Sequence, residues 1–460
     1  MNKYLSRRVV YPLISAVRRE PVRALADGFE RSQWLQAGQV EALQLAKLRT
    51  ILAHAESIFP FYQRHLKDAS VDPLALRRIS DLGQLPILEK RDLTALRESL
   101  PASDGPRDAR MTAGTSGTPT VVYADRAANA HSLAARYRSL AWYGLRAGDR
   151  QARFWGRPRD KFRRRERLKD VALNRVRINS TQLDPDRLPR LLRDLRRFRP
   201  DFAYGYPSLM LMFLDRLEAL PVPGPGLRLK LVVATSETSL PSQRQRIGAA
   251  FGCPCVSEYG CSETDIISFE CPQGGNHVIA ENVLVEIVPA ADNPPGLGEV
   301  VVTDLNNRAM PLIRYRLGDL AAFDGRACPC GRGLPTIKDI MGRKLGQYIR
   351  TPIGRMLYAS SFAYMFEELV ASSIPVRQYR IVQESLDRLR IMVAAPGIPA
   401  DKRAAIERLV STELNTLASG SVRCTFEYVD EIPRSATQDK FFVFESRIPP
   451  SDPSHRVADR

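Results

Sequence analysis

The sequence predicts an α/β protein with a large amino-terminal domain followed by a small α+β carboxy-terminal domain. Apolar strand-like runs alternate with amphipathic helical segments through the middle of the chain. A separate strand, strand, helix, strand pattern follows after residue 343. The length of 460 residues, 44% of them hydrophobic, is enough for more than one core.

Taken in order, residues 40–64 read as helical, with Leu45, Leu48, Ile51, Leu52 and Ala55 on one face and Pro60 ending the helix. Residues 81–90 form a loop entering a further helix. Residues 183–198 are amphipathic and helical. Residues 202–207 are a short strand and turn, 229–234 a buried strand, and 241–251 a helix. Residues 221–226, rich in proline and glycine, form a surface linker. Residues 283–302 are β-rich. In the second domain, 379–383 and 389–393 alternate as strands, 402–417 is an amphipathic helix, and 422–429 is a third strand. The expected domains are 1–342, 343–447 and a disordered tail, 448–460.

The formal net charge is +17, and residues 157–167 carry the densest basic run. Acidic residues are spread through that run and no nucleic-acid motif accompanies it, so nucleic acid is not an expected partner. The run is either a solvated arginine-rich face or a weak attachment to an acidic membrane surface. No apolar run reaches the ~18 residues of a membrane-spanning helix. The first residues are basic and precede a short apolar stretch, 9–14. That stretch contains Pro12 and leads into Arg18-Arg19-Glu20 without a cleavage site, so it reads as an amino-terminal helix or arm of a cytoplasmic protein. Seven cysteines without an export signal argue against disulfides.

The stretch Thr112-Ala113-Gly114-Thr115-Ser116-Gly117-Thr118-Pro119-Thr120 concentrates small residues and hydroxyls. Glycines let backbone N–H groups approach an anion and hydroxyls add donors, which suits a polyphosphate such as ATP. The lysine of a P-loop is missing, so the cradle is of another type. Read alone, the run is equally a surface turn. Further along stand Ser236-Glu237-Thr238, Tyr259-Gly260-Cys261-Ser262-Glu263, Tyr315-Arg316-Leu317-Gly318-Asp319 and Lys440.

In this order and spacing, these features resemble the adenylate-forming superfamily, and within it the phenylacetate–CoA ligase family with its CapK-like relatives of capsular polysaccharide biosynthesis. Lys47-Leu48-Arg49, Phe59-Pro60-Phe61-Tyr62, Leu85 to Lys90 and Met310 to Tyr315 support the resemblance, which covers residues 40 to 446. It implies a large adenylation domain with a small mobile domain behind it. It also implies ATP, Mg²⁺, a small carboxylic acid and coenzyme A. A carboxylate attacks the α-phosphate and pyrophosphate leaves, so catalysis is positioning and charge stabilisation. The resemblance gives Thr112, Gly114, Thr115, Ser116 and Gly117 the β- and γ-phosphates, and Glu263 the Mg²⁺. It gives Ser262 the α-phosphate, Asp319 the ribose hydroxyls, and Ser236, Glu237, Thr238, Tyr259 and Gly260 the adenine. Lys440 would bridge the carboxylate and the α-phosphate, and Arg343 would be a hinge-side contact. Tyr204 to Ser208 and Trp155 are candidate walls of the acyl pocket.

The chain departs from the family pattern at Thr118, where a lysine is usual, at Asp439, where a glycine is usual, and at the hinge, where an aspartate usually follows the arginine. These departures leave open an acceptor other than coenzyme A, or a degenerate member kept for binding. Cys271, His277, Cys328 and Cys330 offer three thiols and one imidazole, a set that suits tetrahedral zinc. Relatives carry a similar pattern, which implies a structural Zn²⁺ near the end of the large domain.

Overall fold

Pro60 both closes a helix and opens one. In the computed structural model, the helix Ala37–Ile58 ends before Phe59, and Pro60 is the first residue of the helix Pro60–Asp68. A proline at that position lacks only an N–H that has no intrahelical acceptor. The structure describes residues 3–18, 20–101, 108–111, 121–155, 163–179, 182–218, 220, 224–237, 239–289, 293, 296–342, 348–353, 356–358, 362, 365, 366, 369, 374, 376–433 and 443–448. Residues 157–162 of the basic run and the expected tail beyond residue 448 lie outside this set. The chain divides into a larger unit, which holds most of the residues up to Met341, and a smaller one made of the residues from Gly342 onward together with short earlier stretches such as Ser239–Gln243.

In the larger unit, β1 (Asp108–Met111) and β2 (Val121–Ala124) form an antiparallel hairpin. The remaining strands are β3 (Gln151–Phe154), β4 (Arg175–Ile178), β5 (Phe202–Gly205), β6 (Leu231–Thr235), β7 (Cys255–Cys261), β8 (Asp265–Glu270), β9 (Asn276–Val278), β10 (Val283–Val288), β11 (Gly298–Asp304), β12 (Tyr315–Phe323) and β13 (Thr336–Met341). They make one sheet in the order β10-β11-β12-β13-β9-β8-β7-β6-β5-β3-β4. From β4 to β7 the strands run parallel, and the rest pair antiparallel.

The parallel half is covered on both faces, and its strands read as continuous apolar runs for that reason. Every residue of β5 and β6 is buried. Successive residues feed opposite cores. Val232 packs with Phe154, Phe213 and Phe251. Val233 packs with Ala130, Ala134 and Phe269. The crossover helix Leu188–Phe198 buries Leu188, Leu191, Leu192 and Leu195. It starts later than the amphipathic pattern from residue 183 suggests, because Pro189 sits in its first turn and the carbonyl of Asp184 accepts from the N–H groups of Arg187 and Leu188.

The smaller unit has its own core. Its sheet has the order β18-β17-β16-β19, with β16 (Gln378–Ser385), β17 (Arg388–Ala394), β18 (Arg423–Val429) and β19 (Phe444–Ser446). Helix Ala400–Leu417 packs Ile406, Val410 and Leu414 against Ile381, Ile391 and Val393. A hairpin of β14 (Tyr348–Arg350) and β15 (Met356–Tyr358) stands apart from that sheet. β14, β15 and β19 are three residues each, too short for a period-two pattern to mark them in the sequence. All seven cysteines are free thiols. Among the described residues, no helix is long and apolar enough to cross a membrane.

Candidate functional site

In an open α/β sheet, ligands bind beyond the carboxyl ends of the parallel strands. β5 ends on Gly205, whose backbone passes so close to Phe154 that no Cβ would fit. β6 ends on Thr235, and the exposed Ser236 then takes a left-handed conformation with φ 68°. Glu237 folds back from there. Its Oε2 accepts from the Ser208 N–H at 3.1 Å and from the Ser208 hydroxyl at 2.5 Å, which pins this segment to the first turn of the helix Pro207–Glu218.

β7 carries the next group. Tyr259 Oη donates to Asp319 Oδ2 at 2.8 Å, although β7 and β12 are not neighbours in the sheet. Burial, then the Asp319 carboxylate, holds the Tyr259 phenol well above its usual range, so it remains a donor. Gly260 follows at a break in register, where a Cβ would collide with the Asp265 carbonyl. Ser262 is exposed in the turn between β7 and β8. Glu263, half-buried in the same turn, accepts from Tyr315 Oη at 3.2 Å. Burial, then Glu263, raises the Tyr315 phenol. Two phenol–carboxylate pairs thus join the end of β7 to β12.

Thr112, Gly114, Thr115, Ser116 and Gly117 lie outside the described residues, as do Thr118, Thr238, Arg343, Asp439 and Lys440. The hairpin that flanks 112–120 is described, with Met111 opposite Val121. One residue before Met111, Arg110 Nη1 donates to the Glu263 carbonyl at 3.4 Å, and its Nη2 donates to Asn129 Oδ1 at 2.6 Å. The hairpin is therefore held against the β7–β8 turn. Leu88 N–H donates to the Arg314 carbonyl and Arg316 N–H to the Leu88 carbonyl, so the 85–90 and 310–316 segments form one ladder.

Sequence reasoning did not find the charged network beneath this site. Arg136 Nε meets Glu258 Oε2 at 3.1 Å and its Nη2 meets Asp265 Oδ1 at 2.8 Å. Tyr204 Oη donates to Glu258 Oε1 at 2.5 Å. Trp155 stacks on Tyr206 with centroids 4.5 Å apart and lies 6.0 Å from Tyr204. The Arg153 guanidinium lies 4.3 Å over Trp155, and burial brings it down to about 10. The inward alternation along β7 marks Glu258 as a buried carboxylate, but its partners come from a helix and strands distant in sequence. A cavity of about 430 Å³ lined by Arg150, Val176, Asp194, Arg197 and Phe198 lies near the start of β3, away from these residues.

Cys271, His277, Cys328 and Cys330 converge, with all donor atoms within 4.8 Å of one another. Cys271 and Cys328 Sγ are 3.6 Å apart, and His277 Nε2 is 3.1 Å from Cys330 Sγ. A tetrahedron with bonds of about 2.3 Å has edges of about 3.8 Å, so the donors fit zinc. His277 Nδ1 donates to the Leu334 carbonyl at 3.1 Å, which turns Nε2 toward the thiols. Burial lowers the imidazole to about 4 and raises the Cys271 thiol to about 12. Gly275 leaves the space: a Cβ there would lie 2.6 Å from Cys328 Sγ. The cluster ties distant segments together, because Gly333 N–H donates to the Gln33 carbonyl and Trp142 packs edge-on to His277 at 5.8 Å.

No family model matches the chain. The phenylacetate–coenzyme A ligase of Thermus thermophilus is 30% identical over 324 residues, 66% of this chain and 70% of that one. Protein CapK of Staphylococcus aureus is 21% identical over 394 residues, 80% of this chain and 81% of its own. The fold matches a crystal structure of 2-hydroxyisobutyryl-CoA ligase in its postadenylation state with 2-HIB-AMP. The TM-score is 0.69 at 20% identity, covering 90% of this chain and 91% of that one. By shared sequence over most of its length and by a shared fold, the chain belongs to the phenylacetate–coenzyme A ligase family of AMP-forming, adenylate-forming ligases.

Proposed function

We propose that this protein activates a small carboxylic acid with ATP and Mg²⁺ as an acyl adenylate and then transfers the acyl group to coenzyme A. The observation that carries this is the pairing of Tyr259 with Asp319 and of Tyr315 with Glu263 at the end of the parallel sheet, beside the hairpin that brackets 112–120. Asp319 would accept from the ribose hydroxyls, with Tyr259 fixing its orientation and Ser236, Glu237, Thr238 and Gly260 beside the adenine. Glu263 would hold Mg²⁺, a hard cation that prefers carboxylate oxygen. Ser262 would donate to the α-phosphate, and Thr112, Gly114, Thr115, Ser116 and Gly117 to the outer phosphates.

Lys440 and Arg343 would act from a mobile domain spanning 343–447. Lys440 neutralises the two anions that must meet, and Arg343 works at the hinge. Trp155, Tyr204 and Tyr206 would wall the acyl pocket. A structural Zn²⁺ on Cys271, His277, Cys328 and Cys330 would hold the β8–β9 turn and the 328–335 loop together.

The test is ATP–pyrophosphate exchange with a panel of aliphatic, hydroxylated and aromatic acids, followed by AMP and thioester formation with and without coenzyme A. Exchange that depends on one acid class, with thioester formed when coenzyme A is added, is the expected result. Exchange without thioester would point to another acceptor. No exchange with any acid, together with no ATP uptake in calorimetry, would leave a degenerate member.

A further inference from the structure

Half of the large apolar side chains that stand exposed among the described residues lie on two helical segments. Tyr4, Leu5, Val9 and Leu13 are on residues 3–18, and Leu168 and Val171 are on the helix Arg163–Ala172; each is 50 to 73% exposed. Leu5, Val9 and Leu13 recur every four residues, so they share one side of the first segment.

The opposite side is anchored, so this face cannot turn inward. Ser6 is buried, and Arg7 reaches Asp149 at 2.9 Å and the Ala147 carbonyl at 3.2 Å. Gly148 permits that approach, since a Cβ there would lie 3.0 Å from the Arg7 nitrogen. Tyr11 packs edge-on to Tyr137 at 5.8 Å, and its hydroxyl donates to the Leu173 carbonyl at 3.5 Å, just past the end of the second helix. The two segments therefore meet on one side of the molecule.

The charge around these apolar residues is predominantly positive. Arg8 and Arg167 are exposed and belong to no ion pair among the described residues. The second helix also carries Arg163, Arg164, Arg165 and Lys169 in its sequence, against the acids Glu166 and Asp170. Asp170, an acid on the same helix, is turned away from solvent onto Arg175 and Arg177. Apolar side chains bordered by cations, on helices too short and polar to span, match the pattern of an element lying in a bilayer interface. A second copy would bring the arginine borders together, and a nucleic acid offers nothing to the apolar centre.

We propose that this face docks on the surface of an anionic phospholipid bilayer, with Leu5, Val9, Leu13, Leu168 and Val171 at headgroup depth and the arginines on lipid phosphates. The proposal is independent of which acid the enzyme activates.

The experiment is sedimentation of the full chain with vesicles of phosphatidylcholine alone, or with about a third phosphatidylglycerol. The wild type should partition onto the anionic vesicles and not onto the neutral ones. L13E/L168E should partition at least about tenfold more weakly, on the scale of losing two apolar insertions, with its melting temperature unchanged. L13S/L168S, which adds no charge, should move in the same direction. Equal partition of wild type and both variants would overturn the proposal, leaving charge attraction alone. A lipid-free dimer that the variants dissolve would also overturn it, as would duplex DNA binding matched to vesicle binding and unaffected by the variants.

Discussion

Asp319 and Glu263 each share their site with a phenol, and the two pairs differ in what loss of the carboxylate would do. If Asp319 carries the ribose, Asp319→Ala should raise the KM for ATP roughly ten- to a hundredfold, the scale of losing charge-assisted hydrogen bonds. Tyr259→Phe, which keeps the carboxylate, should cost less; steady-state kinetics with varied ATP checks both. If Lys440 meets the reacting anions, Lys440→Ala should slow pyrophosphate exchange by roughly 10²–10³, the scale of losing one transition-state donor. Unchanged exchange would remove it from the mechanism.

Asp304 gives a pH signature. Burial raises its carboxyl to about 6, against backbone N–H donors from Asn306 and Asn307 that favour the charged form. The native state then binds a proton that the unfolded state releases near pH 4, so this residue's stabilising contribution is present below pH 4 and lost as pH rises through 6. Asp304→Asn keeps the acceptor without the charge. Its melting temperature relative to wild type should climb between pH 4 and pH 6 and level off above, and a flat difference would contradict the assignment.

At the scale of elements, the turn between β7 and β8 and the cysteine cluster are opposite cases. The turn carries Ser262 and Glu263 on a few residues, positioned by the bulge at Gly260 and by Arg110 from β1. Gly260→Ala should misplace both, lowering exchange while leaving the fold largely intact; a kcat loss with little change in melting temperature is the expected split. The cluster joins β8 and β9 to the loop before β13. If it holds zinc, protein purified without chelator should contain about one zinc per chain. Cys328→Ser or chelation should then lower the melting temperature by several degrees, since structural zinc contributes to folding directly. Metal content near zero would count against it. Gly275→Ala, which crowds Cys328, should reproduce part of the loss without removing a ligand.

At the scale of the whole molecule, two units with separate cores argue against a single two-state melt. Calorimetry should resolve more than one component. ATP with Mg²⁺ at about a hundred times its dissociation constant should stabilise the component it binds by about 2.7 kcal/mol. A single transition insensitive to nucleotide would contradict both the division and the site. The joined pairs of β7 and β12, 52 and 60 residues apart, and the ladder of 85–90 with 310–316, more than two hundred residues apart, show how the larger unit gathers its site from separate segments.

Residues close in sequence already declared much of this. The alternation of β5, β6 and their crossover helices, the helix Pro241–Phe251, and the strands and helix of the small unit follow from apolar periodicity, because burial on one or both faces imposes a local repeat. The order of the Gly/Thr run, Glu263 and Asp319 declared the family. Tertiary structure alone decided the partners: Tyr315 for Glu263, Tyr259 for Asp319, Arg136 for Glu258 and Asp265, and Leu334 for His277. Those contacts pair residues whose separation along the chain has no fixed period. They exist because a buried charge or phenol must find a complementary group wherever the sheet brings one within reach. The apolar side of residues 3–18 is the same case: its pattern is visible in the sequence, but which side faces outward was set by the contacts of Ser6, Arg7 and Tyr11.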